Sequence, residues 1–423
     1  EDFTEPTPWP RGQGGPVKVS LVPNYHPISA RMVEAAGQSS IGRTDDYNGP
    51  ESSGIGRAQV FYRDGRRCGS AAAHLKAAQR RPGLRVETDA TVQRVLFEGR
   101  RAVGVRYRRD GATHDVRARE VILCAGAVGS PQLLEVSGIG HPQRLLELGV
   151  PVIQPLAAVG ENLQDHYLSF IVQELTGIRS LGAELHGWRS LVNGAAYLLF
   201  KRGPLNGTVA QVTGHASVDV DGQSVGVQFI GMPLTFSYDA KRKTVVRHPG
   251  PALMLGINVC RPRSRGHVHA LTGSVDDKPE IVANFLTHPE DVKATVAGLR
   301  LCRELISQPA LSDVRAEEKA PGRLAITDEA LGAYARAAGA SGYHPVGTCA
   351  MGIDPACSVV DSELRVHGVA GLRVVDASVM PRIVSANTHA PTVMIAERAA
   401  DLIKADARAL NSSLARDAVP MTI

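Results

Sequence analysis

The stretch REVILCAGAVGSPQLLEVSGIG, residues 119–140, constrains the fold of this chain more than any other. Val121 to Cys124 is wholly apolar, and a short run without polar alternation suits a strand buried in a parallel sheet. Ala125, Gly126 and Ala127 then make a tight turn of small residues. Ser130 is placed to cap a helix with Pro131 at its first position, and the apolar residues Leu133 and Leu134 carry that helix to Gly138. A strand, a turn and a helix in succession suit an α/β arrangement. A strand, a small-residue turn and a helix N-terminus together also form a cradle for a phosphate or pyrophosphate. The same turn also serves packing alone in many α/β proteins.

The second such strand is near the other end of the chain. In GLRVVDASVMPRIVSANTHAPTVMIAERAADLIKA, residues 371–405, Leu372 to Val375 reads as a buried strand ending in Asp376. A helix follows His389, with Pro391 in its first turn. Upstream lies SGYHPVGTCAMG, which places His344 beside Pro345 at a turn. Histidine is the side chain whose ordinary pKa lies nearest neutrality, so it suits proton transfer. A helix N-terminus suits an anion. A base facing a group that becomes negative is the chemistry this pairing of His344 and His389 suggests. His367, in LRVHGVAG, reads as a turn residue, and no carboxylate or cysteine set for a metal is evident around it.

Between these ends the chain changes character. Residues 1–60 are rich in Pro, Gly, Ser and Asn, with one helical pattern over Pro27–Ala36 and little apolar material of their own. A helix is expected from about Ser70 and a short strand over Leu84–Thr88. Three strands follow, Thr91–Phe97, Ala102–Arg108 and His114–Ala118, joined by turns at Glu98-Gly99 and Asp110-Gly111. Pro142–Leu148 reads as a short helix. Val159–His166 is a loop dense in donors and acceptors, namely Asn162, Gln164, Asp165 and His166. Residues 167–290 carry β-prone runs at Gln211–Val218, Val225–Ile230, Ala252–Cys260 and His267–Leu271, with a helix over Trp188–Lys201. Helices are expected again within 286–306 and over Thr327–Ala338, the latter capped by Thr327. This is a sheet-based second domain.

The totals exclude several classes. The 423 residues suffice for two domains, and the formal charge of +5 comes without a basic run, so nucleic-acid binding is not indicated. No apolar stretch reaches the roughly 18 residues of a membrane span. Cys68, Cys124, Cys260, Cys302, Cys349 and Cys357 are scattered without CxxC or zinc-finger spacing, which suggests free thiols in a reducing, cytoplasmic compartment.

Five blocks in order, GAVGSPQLLEVSGIG, VGENLQDH, YHPVGTCAMG, LRVHGVAGLRVVDASVMP and SANTHAPTVMIAERAADLI, resemble those of the glucose–methanol–choline (GMC) flavin oxidoreductases, and the likeness runs from about Val19 to Ile403. The resemblance implies an FAD-binding Rossmann-like domain of the glutathione-reductase type and an antiparallel-sheet substrate domain. It divides the chain into 1–166, the first part of the FAD domain; 167–338, the substrate domain; and 339–423, the rest of the FAD domain with the histidines. It implies that His344 is the main catalytic base and that His389 is its second catalytic partner. It places Val92, Cys124, Ala125, Gly126, Asp376, Ala377, His389, Pro391 and Thr392 against FAD. The activity implied is oxidation of a CH–OH group, with oxygen or a quinone-type or dye-type acceptor; the 4% of aromatic residues gives no evident cage for a quaternary ammonium, so a neutral primary alcohol is the expected substrate.

One departure stands out. The family's opening βαβ unit bears GxGxxG, and none is found: Gly12-Gln13-Gly14 is followed by Val17 where the third Gly belongs, and Gly54-Ile55-Gly56 and Gly138-Ile139-Gly140 fail likewise. The chain therefore looks like a member lacking roughly its first hundred residues, of which the βαβ unit is about 30. That leads one to expect an exposed sheet edge, weak FAD affinity and marginal stability. A flavin-containing hydroxynitrile lyase and a non-catalytic remnant are the alternatives to an alcohol oxidoreductase.

Overall fold

The structure is a computed structural model describing residues 1–184, 187–239, 244–247 and 250–417. Residues 418–423, the end of the expected third segment, lie outside the described residues. The chain divides into two compact units, Glu1–Val86 with Tyr167–Cys260 and Leu286–Ser341, and Glu87–His166 with Arg261–Phe285 and Gly342–Ile423.

The first unit is built on an antiparallel sheet. Its order is Val212–Val220, Gln223–Met232, Ala252–Val259, Tyr167–Leu175 and Arg315–Ala320, with Ala340–Ser341 also beside Tyr167. Ala252–Val259 is buried along its whole length because it is central, whereas Val212–Val220 exposes several residues. The Pro289–Ser307 helix covers one face. Its Gly298 lies so close to the sheet that a Cβ there would come within 2.4 Å of Ile257, which is the close approach that glycine permits.

Residues 1–86 belong to the unit of this sheet, whereas a division by motif alone groups them with 87–166. The reason is apolar supply. The Pro27–Gly37 helix buries Ile28, Met32, Ala35 and Ala36 in one core with Ile55, Val212 and Phe229. Fully burying a side chain the size of Ile28 or Met32 is worth about 1.5–3 kcal/mol. A segment with so little core of its own gains most by completing that of the sheet.

The second unit holds the meander Thr91–Glu98, Arg101–Arg109 and Ala112–Arg117, and a parallel pair, Val121–Leu123 beside Leu372–Val374. Leu84–Thr88 is not a strand; Leu84 and Val86 are exposed, and no ladder pairs them. Val121 and Leu123 are buried, but Ile122 is 41% exposed. The expected double burial fails there because the core covers one face of the pair. Arg373, opposite Ile122, is buried through ion pairs with Glu120 and with Asp406 of the long His389–Asp417 helix. That network ties the helix to the strand.

Candidate active site

The Val121–Leu123 and Leu372–Val374 strands run in parallel, so Cys124 and Asp376 emerge at the same end. From there the chain enters the Gly126–Val136 helix, five residues earlier than the serine cap predicts. Ser130 is not the cap. Its hydroxyl donates to Asp376 Oδ2 at 2.6 Å and accepts from the Ala125 N–H at 3.1 Å. Pro131 therefore sits inside the helix, where it cannot donate to the carbonyl of Ala127. Buried Thr348 takes over, its hydroxyl donating to that carbonyl at 2.7 Å.

Asp376 is the hub of this turn. Its carboxylate accepts from the Gly126 N–H at 2.9 Å and, through the other oxygen, from the Ser378 N–H at 2.8 Å. Ala377 opens the short helical turn Ala377–Val379. Cys124 is exposed, but desolvation by the neighbouring atoms and the Asp376 carboxylate push its thiol up to about 11, which keeps it protonated. Gly126 has φ of 77°, and a Cβ there would meet nothing within 4 Å. A left-handed glycine with open space before it, at the N-terminus of an eleven-residue helix and the carboxyl ends of two parallel strands, can admit a phosphorylated cofactor.

The histidines are placed by a different device. Loop 159–166 and the segment after Gly342 pair antiparallel: the Gln164 N–H donates to the Val346 carbonyl at 3.0 Å and is answered by the Val346 N–H at 2.9 Å. Asp165 accepts from the His344 N–H at 2.8 Å, and the Gly342 N–H donates to the His166 carbonyl at 2.6 Å. Asn162 and Gln164 also donate to the Pro381 carbonyl, at 3.2 and 3.1 Å. The loop thus clamps two segments, Gly342–Val346 and Pro381. Tyr343, next to His344, holds φ of 60°, a conformation that costs a non-glycine residue about 1–3 kcal/mol.

His344 is 8% exposed, and its two ring nitrogens face different partners. Nδ1 lies 3.0 Å from Nδ1 of fully buried His166, and Nε2 lies 2.9 Å from Asn387 Nδ2. Nδ2 of Asn387 can only donate, so in this arrangement Nε2 is the accepting nitrogen. Nδ1 then carries the proton and donates to His166. Burial, reinforced by the neighbouring imidazole, lowers the His344 pKa from 6.5 to about 4. The site holds a neutral imidazole with its basic lone pair on Nε2.

His389 is half-buried and begins the long helix, two residues after Asn387. Pro391 and Thr392 lie in the first turn, where Thr392 spends its hydroxyl on the Thr388 carbonyl at 2.7 Å. Val92 lies on the meander, opposite Tyr107. His367 is a turn residue, its Nε2 within 3.1 Å of Ser358 Oγ and of the Gly352 carbonyl. Sequence reasoning did not assign His166 or Asn387 a part. Their signal was present in VGENLQDH and SANTH, but only the long-range pairing of residues 164 and 346 shows that they flank one ring.

Residues 5–168 and 262–396 match the two family models described as GMC oxidoreductase. The chain is 38% identical over 396 residues to the oxygen-dependent choline dehydrogenase of Paraburkholderia xenovorans, covering 93% of this chain and 70% of that protein. The chain belongs to the GMC oxidoreductases. A choline dehydrogenase of Escherichia coli is 36% identical over 398 residues, covering 93% of this chain and 71% of the relative. Among solved structures, pyridoxine 4-oxidase from Mesorbium loti superposes with a TM-score of 0.80 at 26% identity, covering 92% of this chain and 72% of that one. An FAD-dependent oxidoreductase from Chaetomium thermophilum gives 0.84 at 26% identity, covering 96% and 78%. This GMC oxidoreductase has the family's FAD-binding Rossmann-like and substrate-domain fold, and it is an FAD-dependent alcohol oxidoreductase. The open glycine turn fits such a cofactor. Among the described residues no helix is long and apolar enough to cross a membrane.

Proposed function

We propose that this enzyme oxidises a primary alcohol, with His344 as the base that removes the hydroxyl proton. The observation that carries the reading is the setting of His344: Nδ1 lies 3.0 Å from Nδ1 of buried His166, and Nε2 lies 2.9 Å from Asn387 Nδ2, which a substrate hydroxyl can replace. FAD, when bound, supplies the acceptor for the hydride. Cys124, Ala125 and Gly126 would hold its adenosine and pyrophosphate, Asp376 and Ala377 its ribityl–pyrophosphate region, Val92 its adenine side, and His389, Pro391 and Thr392 its flavin end. His389 orients the alcohol by a hydrogen bond to the oxygen that loses its proton. The N-terminus of the His389–Asp417 helix favours negative charge nearby. All of these residues lie in the second unit, which we assign to the cofactor, and we assign the first to the substrate.

Choline, the substrate named for the relatives, is a primary alcohol, and a neutral alcohol is the other candidate. Oxygen or a quinone-type acceptor would reoxidise the enzyme. Six free cysteines suit a reducing, cytoplasmic setting. The test is anaerobic bleaching of the FAD-loaded chain by a panel of alcohols that includes choline. We expect a primary alcohol to bleach the flavin, and His344→Ala to slow bleaching by about 10²–10⁴-fold with FAD retained. Equal rates in the variant would remove His344 from the role of base.

A further inference from the structure

At the far end of the Gly126–Val136 helix, about 13 Å along its axis from the glycine turn, lies a second group of titratable side chains. Glu135 is fully buried. One of its carboxylate oxygens accepts from the Ala270 N–H at 2.6 Å, and the other lies 2.8 Å from His269 Nδ1. His269 is 2% exposed, and its other nitrogen, Nε2, lies 3.0 Å from Glu161 Oε1. His267, two residues earlier on the same strand, points to the same face, with ring centroids 5.0 Å apart. Glu280 is paired with His269 across the hairpin and sits 3.5 Å from His267 Nε2.

The backbone holds this group together. The Val268 N–H donates to the Gly160 carbonyl at 2.8 Å, which sets Glu161 against the strand. Gly160 has φ of 83°, and a Cβ there would lie 2.7 Å from His269 Nδ1. Only glycine leaves room for the imidazole in this position.

A neutral imidazole has one N–H. With Nδ1–H donating to buried Glu135, the Nε2 lone pair and Glu161 Oε1 face each other at 3.0 Å and can share a cation. Donor atoms of Glu161, His267 and His269 all lie within 4.8 Å of one another. A tetrahedral ion with ligands near 2.0–2.1 Å needs them about 3.3 Å apart. Glu161 and His267, whose side chains are 54% and 28% exposed, have the freedom to close that difference.

We propose that His267, His269 and Glu161 bind one divalent ion of the zinc class, with water at the fourth position. Two imidazoles and a carboxylate without thiols select zinc, cobalt or nickel over calcium or magnesium. Glu135 is the positioning residue. It accepts from the ring nitrogen that does not bind the metal and fixes the tautomer. The ion ties the His267–His269 strand to loop 160–161 and so stabilises the second unit.

The test uses the full chain, treated with chelator and desalted, then titrated with zinc chloride by calorimetry and with cobalt chloride by visible absorption. One equivalent of zinc, tetrahedral cobalt bands and a thermal midpoint that rises with zinc are expected. Glu135→Gln should weaken zinc about 10–100-fold. His267→Ala and Glu161→Gln should weaken it more than the upper end of that range, about 100-fold. His114→Ala, at an exposed histidine on the meander, should change nothing. Absence of a stoichiometric site in the unaltered chain overturns the proposal whatever the variants do. Equal zinc affinity in folded His267→Ala and Glu161→Gln overturns it as well, because the zinc would then be bound elsewhere.

Discussion

A histidine serves as a base near neutrality only if its surroundings keep it unprotonated, and His344 meets that condition through burial beside a second imidazole. Its pKa is lowered from 6.5 to about 4, first by desolvation and then by His166. The consequence extends to stability. Between pH 6.5 and 4 the unfolded chain takes up a proton at this residue that the folded chain refuses, so stability falls as the pH falls through that window. Above the upper limit this contribution is fully present. We therefore expect the thermal midpoint to drop between about pH 6.5 and 4, and to drop less in His344→Gln, read by scanning fluorimetry over that range. A variant with the unaltered pH profile would mean that another group titrates. His344 and His389 were legible from the sequence because each lies beside a proline-marked turn or helix start. His166 and Asn387 were not, since their partnership with His344 spans 178 and 43 residues and leaves no periodic trace.

At the scale of elements, most helices and strands follow the apolar period, and the failures have local causes. Thr327 caps its helix as the sequence suggests, its hydroxyl accepting from the Ala330 N–H. Ser130 has the same chemistry and a proline after it, but a buried carboxylate 246 residues away claims its hydroxyl. The helix then starts at Gly126, and the fault that Pro131 introduces is repaired by Thr348. Thr348→Val keeps the shape and removes the donor, leaving the Ala127 carbonyl unsatisfied in the core. That should destabilise the chain by about 1–3 kcal/mol. Thr348→Ser keeps the donor and loses one methyl, at about 0.8 kcal/mol. Denaturant unfolding of the two variants measures the difference. Serine no better preserved than valine would show that the methyl, not the hydroxyl, matters.

At the scale of the molecule, the five family blocks in order carried the fold, whereas the assignment of residues 1–86 depended on which core lacked apolar volume, a property of the assembled sheet. The chain spans 70–71% of the length of the choline dehydrogenases it matches. Its affinity for FAD is the property that decides what this polypeptide does by itself. FAD that binds the folded state and not the unfolded one must raise the thermal midpoint with the logarithm of its concentration, by RT ln(1 + [FAD]/Kd) in free energy. At about 100 times Kd that is about 2.7 kcal/mol. Asp376 holds the Gly126 turn through a backbone N–H and the Ser130 hydroxyl, so Asp376→Asn should loosen the turn and shrink the FAD-dependent shift more than it lowers the midpoint without cofactor. Thermal scans of both proteins across an FAD series separate these effects. A flat midpoint in the unaltered chain would mean that the glycine turn and its carboxylate do not suffice for binding, and the expectation of weak FAD affinity would stand.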